Sequence, residues 1–170
     1  MGQREVTVRE RIPADLPVLA EVLEEQQPHT GYPQRWPLPS PVEEFLTRPG
    51  ELGAWVATLD DDPAPVGHVS VTTPGSGPEV DGWVAAVGRP AEELAAVSVL
   101  FVDHRVSGRG VGGALLDAAV AFIRESGRAR SWTWCRRRGA RCGSTSDTAG
   151  GWSARRARGG CPPTTCRCCS

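Results

Sequence analysis

No lysine occurs anywhere in the sequence, so all 19 fixed side-chain cations are arginines. A glycine-rich loop in this chain therefore cannot be a nucleotide P-loop, which needs Gly-Lys-Ser/Thr at a helix start. No segment has the ~20 apolar residues that a membrane-spanning helix requires. The opening residues 1–13, MGQREVTVRERIP, are charged and lack the apolar stretch of a signal peptide. A cytoplasmic location is the expectation, and thiols stay reduced there. The six cysteines are accordingly not read as a disulfide framework.

Two further absences divide the chain. No cysteine precedes Cys135, and no Val, Leu, Ile, Met, Phe or Tyr follows Ile123. Residues 1–123 hold 8 Arg against 18 acids, a net charge of −10. Residues 124–170 hold 11 Arg against Glu125 and Asp147, a net charge of +9. At 170 residues there is room for a single core, and the apolar residues place it in the first piece. The expected organisation is a domain over residues 1–125 and an aberrant Arg/Cys/Gly-rich tail over 126–170. A segment with no aliphatic side chain larger than Ala cannot bury enough apolar area to offset the entropy of ordering it. The tail is thus expected to be disordered or out of frame.

Within the first piece the hydrophobic spacing predicts alternating elements. Val6 and Val8 alternate with Thr7 and Arg9, the pattern of a half-buried strand. Leu16, Leu19, Val22 and Leu23 recur at helical spacing, with Glu21, Glu24 and Glu25 on the other face. Residues 28–41, rich in Pro and carrying His29, Tyr32 and Trp36, read as a loop, and 42–46 as a short helix. Residues 54–59 and 66–72 read as strands joined by a longer hairpin loop through Asp60, Asp61, Asp62 and Pro63. Residues 82–88 read as a helical insert. Residues 95–102 form the most apolar run and fit a central, fully buried strand. A helix follows, with Val111, Leu115, Ala118, Ala119 and Phe122 on one stripe, widened by Leu116, Val120 and Ile123.

Between that strand and that helix stand Ser107, Gly108, Arg109, Gly110, Val111, Gly112 and Gly113. The first N–H groups of a helix have no partner within it, and the helix dipole adds positive charge there. Glycines let a phosphate approach those groups without meeting a Cβ, and Arg109 adds a cation. A pyrophosphate is the natural guest. Gly108, Gly110 and Gly113 also match a dinucleotide fingerprint literally. That motif follows its strand almost directly, with an acid ~20 residues beyond. Here five residues intervene after Val102 and the downstream region is Arg-rich without an acid.

Leu100-Phe101-Val102, four residues, then Ser107-Gly108-Arg109-Gly110-Val111-Gly112 and Ala114-Leu115-Leu116 resembles the acetyl-coenzyme-A signature of the GNAT acetyltransferase superfamily. The resemblance spans about residues 5–125. It implies an α/β fold, a mixed, mainly antiparallel sheet flanked by helices and incomplete at its C-terminus. It implies acetyl-CoA as co-substrate and transfer of acetyl to an amine by direct attack on the thioester. Leu100, Phe101 and Val102 would offer backbone groups to the pantetheine arm, and the amides from Ser107 to Gly113 would cradle the pyrophosphate. Ser107 departs from the family's Arg or Gln. Because the loop acts through backbone N–H groups, this is expected to weaken binding rather than abolish it.

The family also needs a strand after this helix, then a helix opening on a Leu-Tyr-Glu-type motif, whose Tyr commonly protonates the departing thiolate. The tail as written supplies none of these. It does so when its codons are read one nucleotide earlier. Every Trp (TGG) and Cys (TGY) codon then becomes NTG, which encodes Leu, Met or Val. Trp132-Thr133-Trp134-Cys135 becomes apolar-Asp-apolar-Val, a strand pattern. Residues 142–150 become Leu-Arg-Leu-Tyr-Glu-Arg-His-Gly-Trp under allowed codon choices. The apolar positions are forced by the code, whereas the Tyr and Glu are permitted by it. The frame is read as lost between about Arg124 and Ser131.

No catalytic residue is assigned from the sequence. Glu92, Glu93 and Asp103 flank the central strand as candidate bases, each weighed against a solvated carboxylate at a strand end. His68 and His104 read as ordinary strand or surface residues. His29, Tyr32 and Trp36 line an acceptor pocket or pack on the sheet edge. The acidic first piece suits a cationic small-molecule or peptide amine. Homodimerisation stays open, no membrane partner is expected, and no metal ligand set is recognised. The tail makes a poor zinc site, having no CxxC pair. A nucleic-acid arm is the less favoured reading of its charge and three Trp. A non-catalytic acyl-CoA-binding module is the alternative to the enzyme.

Overall fold

A computed structural model of the protein describes residues 5–60 and 62–131. The shifted-frame motifs after Ser131, and most of the 126–170 tail, lie outside the described residues. The described residues form one five-stranded sheet in the order β1-β2-β3-β4-β5. Its strands are β1 (Val6–Glu10), β2 (Glu51–Leu59), β3 (Asp62–Thr72), β4 (Leu94–Val102) and β5 (Ala129–Ser131). The first four pair antiparallel, and β5 runs parallel to β4. This is the mixed, mainly antiparallel sheet that the sequence implies.

The helices are α1 (Leu16–Thr30), α2 (Val42–Leu46), α3 (Pro78–Val87) and α4 (Val111–Glu125). Side chains alternate across a strand, so neighbouring residues of β2 serve opposite cores. Val56 packs with Leu19, Val22 and Leu23 of α1, Leu46 of α2, and Val99 and Phe101 of β4. Ala57 and Leu59 pack with Val69, Val71 and Ala95 against Val111, Leu115, Ala119 and Ile123 of α4. The buried residues of α4 advance by four at each step and include Ile123, whereas Ala118 and Phe122, expected on the same stripe, are only partly covered. Gly67 permits the close seating of α4. A Cβ there would stand 3.0 Å from a Leu115 methyl and 3.1 Å from the Phe101 carbonyl oxygen.

Several expectations need correction. Helix α1 continues through Pro28 to Thr30 rather than yielding to a loop, and Gly31 closes it at φ 69° with its N–H on the Gln27 carbonyl. Leu59 already pairs with Asp62, so the hairpin turn is tighter than expected, with Asp60 in the left-handed region at φ 55°. Helix α3 starts at Pro78, earlier than residue 82. Strand β4 is not fully buried: Val97, Ser98, Leu100 and Val102 are only partly covered. Among the described residues β5 pairs only with Leu94, Ala95 and Ala96. The short β5 also corrects the expectation that the tail as written supplies no strand after the helix, and its pairing rests on backbone hydrogen bonds that ask nothing of side-chain hydrophobicity.

Candidate functional site

The glycine loop lies where the sequence puts it, between the end of β4 and the start of α4. Asp103 begins the turn, its N–H on the Val66 carbonyl at 2.8 Å. Its carboxylate accepts from the Arg105 N–H at 2.9 Å and from the Arg105 guanidinium at 2.7–3.0 Å. A single 3-10 turn at His104–Val106 then drops the buried Val106 side chain into the α4-side core. Ser107, Gly108, Arg109 and Gly110 follow as an exposed run. Gly108 and Gly110 take φ of 81° and 83°, a region that L side chains rarely adopt. A Cβ on Gly108, Gly110 or Gly113 would meet no atom within 4 Å.

Gly110 is the N-cap of α4 and offers no side chain to cap it. The first backbone bond of the helix runs from the Ala114 N–H to the Gly110 carbonyl at 3.0 Å. The N–H groups of Val111, Gly112 and Gly113 precede it and have no backbone acceptor among the described residues. Arg109 beside them makes no ion pair among the described residues. The start of the helix abuts the end of the strand: a Cβ on Gly112 would sit 3.6 Å from a Val102 methyl. Uncapped amides, a dipole end and open space at the glycine Cβ positions fit an anion of pyrophosphate size.

Of the strand residues, Phe101 faces the α1-side core, while Leu100 and Val102 pack toward the α4 side. Earlier in β4 the odd residues Ala95 and Val97 pack toward α4, yet Val99 packs toward α1. A β-bulge makes this switch. The register passes from His68↔Phe101 to Ser70↔Ser98, and Val99 stands at φ 46°. A β-branched residue held there costs on the order of 1–3 kcal/mol, so its surroundings must over-determine it. Beyond Ala96 the edge of β4 away from β3 has no strand partner among the described residues. Backbone groups on that edge with no partner among the described residues can hydrogen-bond an extended guest.

The bulge is tied by side chains that the sequence reading passed over. His68 is fully buried, with Nδ1 2.9 Å from the Val99 carbonyl oxygen and Nε2 3.0 Å from Arg11 Nη1. An arginine only donates, so Nε2 accepts and Nδ1 carries the proton given to Val99. Arg11 is fixed in turn by Glu51 at 2.6 Å and by the Leu46 carbonyl at 2.9 Å. Ser70, also fully buried, gives its hydroxyl to the Ser98 carbonyl at 3.1 Å. Burial pushes the His68 pKa down to about 4, against the opposing effect of the Val99 carbonyl, so the ring is neutral at pH 7. Two polar residues at i and i+2 on one face of the run Val-Gly-His-Val-Ser-Val were the available signal.

The candidate bases fare differently. Burial opposes the charge of Asp103, but the Arg105 contacts outweigh it and hold the carboxyl below the ordinary aspartate range. A carboxylate so held is a weak base. Glu93 pairs with Arg89 at 3.4 Å on the surface, and Glu92 shares its short turn. The aromatic loop separates: Tyr32 packs near Phe45, 6.3 Å between ring centres, and burial raises its pKa. His29 stacks on His104 at 3.9 Å. Only Trp36, partly exposed, lines an open groove with Ala20, Glu24, Val42 and Glu43. No group of side chains suited to holding a metal ion occurs among the described residues.

Comparison with known proteins agrees with this architecture. The model of the acetyltransferase (GNAT) family matches residues 18–141. Among solved structures, a GNAT family acetyltransferase from Brucella melitensis, in complex with acetyl-CoA, superposes with a TM-score of 0.57 at 16% identity, over 79% of each chain. An N-acetyltransferase from Staphylococcus aureus Mu50 gives a TM-score of 0.56 at 14% identity, over 76% of this chain and 73% of that one. The ribosomal-protein-S18-alanine N-acetyltransferase from Escherichia coli gives 0.52 at 13%, over 79% and 70%. At such identities the likeness is one of fold. No curated protein matches the sequence.

Proposed function

Since the chain belongs to the acetyltransferase (GNAT) family, we propose that it transfers acetyl from acetyl-CoA to an amine by direct attack on the thioester. The observation that carries this reading is the uncapped start of α4, with Gly108 and Gly110 in left-handed conformations and open space at their Cβ positions. The amides of Ser107 to Gly113, with Arg109, hold the pyrophosphate. Leu100, Phe101 and Val102 on the open edge of β4 hold the pantetheine arm through their backbone. The co-substrate supplies a thioester whose C–S bond breaks as the amine nitrogen forms its bond to the carbonyl carbon. The chain must then give the carbonyl oxygen a hydrogen-bond donor, remove a proton from the amine and return one to the thiolate. Backbone N–H groups after the bulge are the donors. The acidic character of residues 1–123 favours a cationic amine, small-molecule or peptide.

A second reading is a non-catalytic acyl-CoA-binding module, and two observations favour it. Tyr32 is the one tyrosine of the sequence, so the family's Tyr acid has no counterpart in the tail. Asp103, the buried candidate base, is neutralised by Arg105. Thiol release from acetyl-CoA, measured with and without a mixture of amines beside calorimetry on the same sample, separates the readings. Amine-dependent release is expected of the transferase. Binding without release is the mark of the module.

The domain division at about residue 125 and the lost reading frame belong to the same proposal. The nucleotide sequence across codons 120–170 tests the frame. A Leu-Tyr-Glu-type continuation one nucleotide out supports it, and its absence ends it.

A further inference from the structure

The buried imidazole of His68 has no part in the chemistry above, yet it is bonded to the one strained residue of β4. It rests on the coenzyme reading, and it concerns how the chain aims the donor for the thioester oxygen. The Val99 carbonyl and the Leu100 N–H belong to one planar, trans peptide unit and point in opposite directions. A carbonyl drawn toward His68 therefore turns the Leu100 N–H away from the imidazole.

We propose that His68 is a positioning residue for acetyl recognition: its Nδ1–H, aligned by Arg11, locks the Val99–Leu100 peptide so that the Leu100 N–H can meet the thioester oxygen. Ser70 holds the neighbouring Ser98 carbonyl from the same face of β3. The two contacts fix both peptide units of the bulge, and Arg11 is itself held by Glu51 and the Leu46 carbonyl. A dipole fixed before the substrate arrives costs no reorganisation when charge develops on the oxygen. Leucine at position 68 fits the volume but gives the Val99 carbonyl nothing. Asparagine places an N–H donor close to the Nδ1 position.

The test compares acetyl-CoA with CoA, which share every contact except those of the acetyl group. Calorimetry on the full chain gives the ratio of their affinities for the wild type, His68→Leu and His68→Asn. The wild type is expected to prefer acetyl-CoA by about fivefold to tenfold, as one net hydrogen bond implies. His68→Leu is expected to bring the ratio near one while CoA affinity stays within about twofold, and His68→Asn to restore most of the preference. A purely structural role would weaken both ligands together and leave the ratio unmoved. Nitrogen-15 NMR of the wild type, which needs no variant to fold, is expected to show the Nδ1-protonated neutral tautomer.

An Nε2-protonated ring overturns the proposal, as does a ratio that survives His68→Leu or fails to return in His68→Asn. A wild type that binds both ligands without preference overturns it while leaving the coenzyme reading intact. A wild type that binds neither removes the coenzyme reading, and this inference with it.

Discussion

Asp15 shows how single residues fix the entry to the fold. Its buried carboxylate accepts from the Arg9 guanidinium at 2.7 and 2.8 Å and from the Ile12 N–H at 2.8 Å. The Arg9 bond is the largest influence and keeps the carboxyl below the ordinary 3.8, against burial. The stabilisation is present above that value and is lost as pH falls through the lower folded one. His68 adds acid sensitivity in a higher window. Its ring protonates near 6.5 when unfolded but only at about 4 when folded. Between those values the unfolded chain binds more protons, so stability rises with pH there, by on the order of 3 kcal/mol in all. Denaturant melts between pH 4 and 7 should show this slope, and His68→Asn should flatten it. Gly67→Ala should lower stability by about 1–3 kcal/mol, because the added methyl crowds the Phe101 carbonyl and a Leu115 methyl where α4 packs on the sheet. A thermal melt checks it.

At the scale of elements, α4 covers one face of the sheet and begins at the glycine loop. Leu115 is fully buried in the middle of its stripe. Leu115→Ala should cost about 2–5 kcal/mol, read from chemical denaturation. The same helix was the most legible element in the sequence, since fifteen residues of consistent period leave little ambiguity. Strand β1 was legible from alternation, and β2 and β3 from their apolar runs, although they begin at Glu51 and Asp62 rather than at residues 54 and 66. What escaped was set by long-range geometry. Val99 is an ordinary strand residue by composition, and its left-handed φ is accompanied by hydrogen bonds from two β3 side chains that lie 31 and 28 positions away from their acceptors. The partial exposure of β4 escaped because a run of apolar residues reports hydrophobicity, whereas burial depends on what packs against each face. The end of α1 was misplaced because Pro28 reads as a breaker, although it removes only one hydrogen bond near the end of a helix that Gly31 still closes.

At the scale of the whole molecule, the described residues form a sheet covered on each face. Among them, the start of α4 and the edge of β4 beyond Ala96 have backbone groups without a backbone partner. Those two features meet where Val102 touches the first turn of α4. No helix among the described residues is long and apolar enough to cross a membrane. A ligand that fills such a site binds only the folded chain. Acetyl-CoA at a hundredfold excess over its dissociation constant should add about 2.7 kcal/mol and raise the melting temperature by several degrees. Titration calorimetry of acetyl-CoA into the full chain and into its Gly110→Val variant is the most direct measurement. Saturable binding by the wild type, weakened about tenfold or more in the variant because valine resists φ near 83°, is the result expected. Absence of binding, or binding indifferent to that substitution, would contradict the assignment of the α4 amides as the seat of the diphosphate.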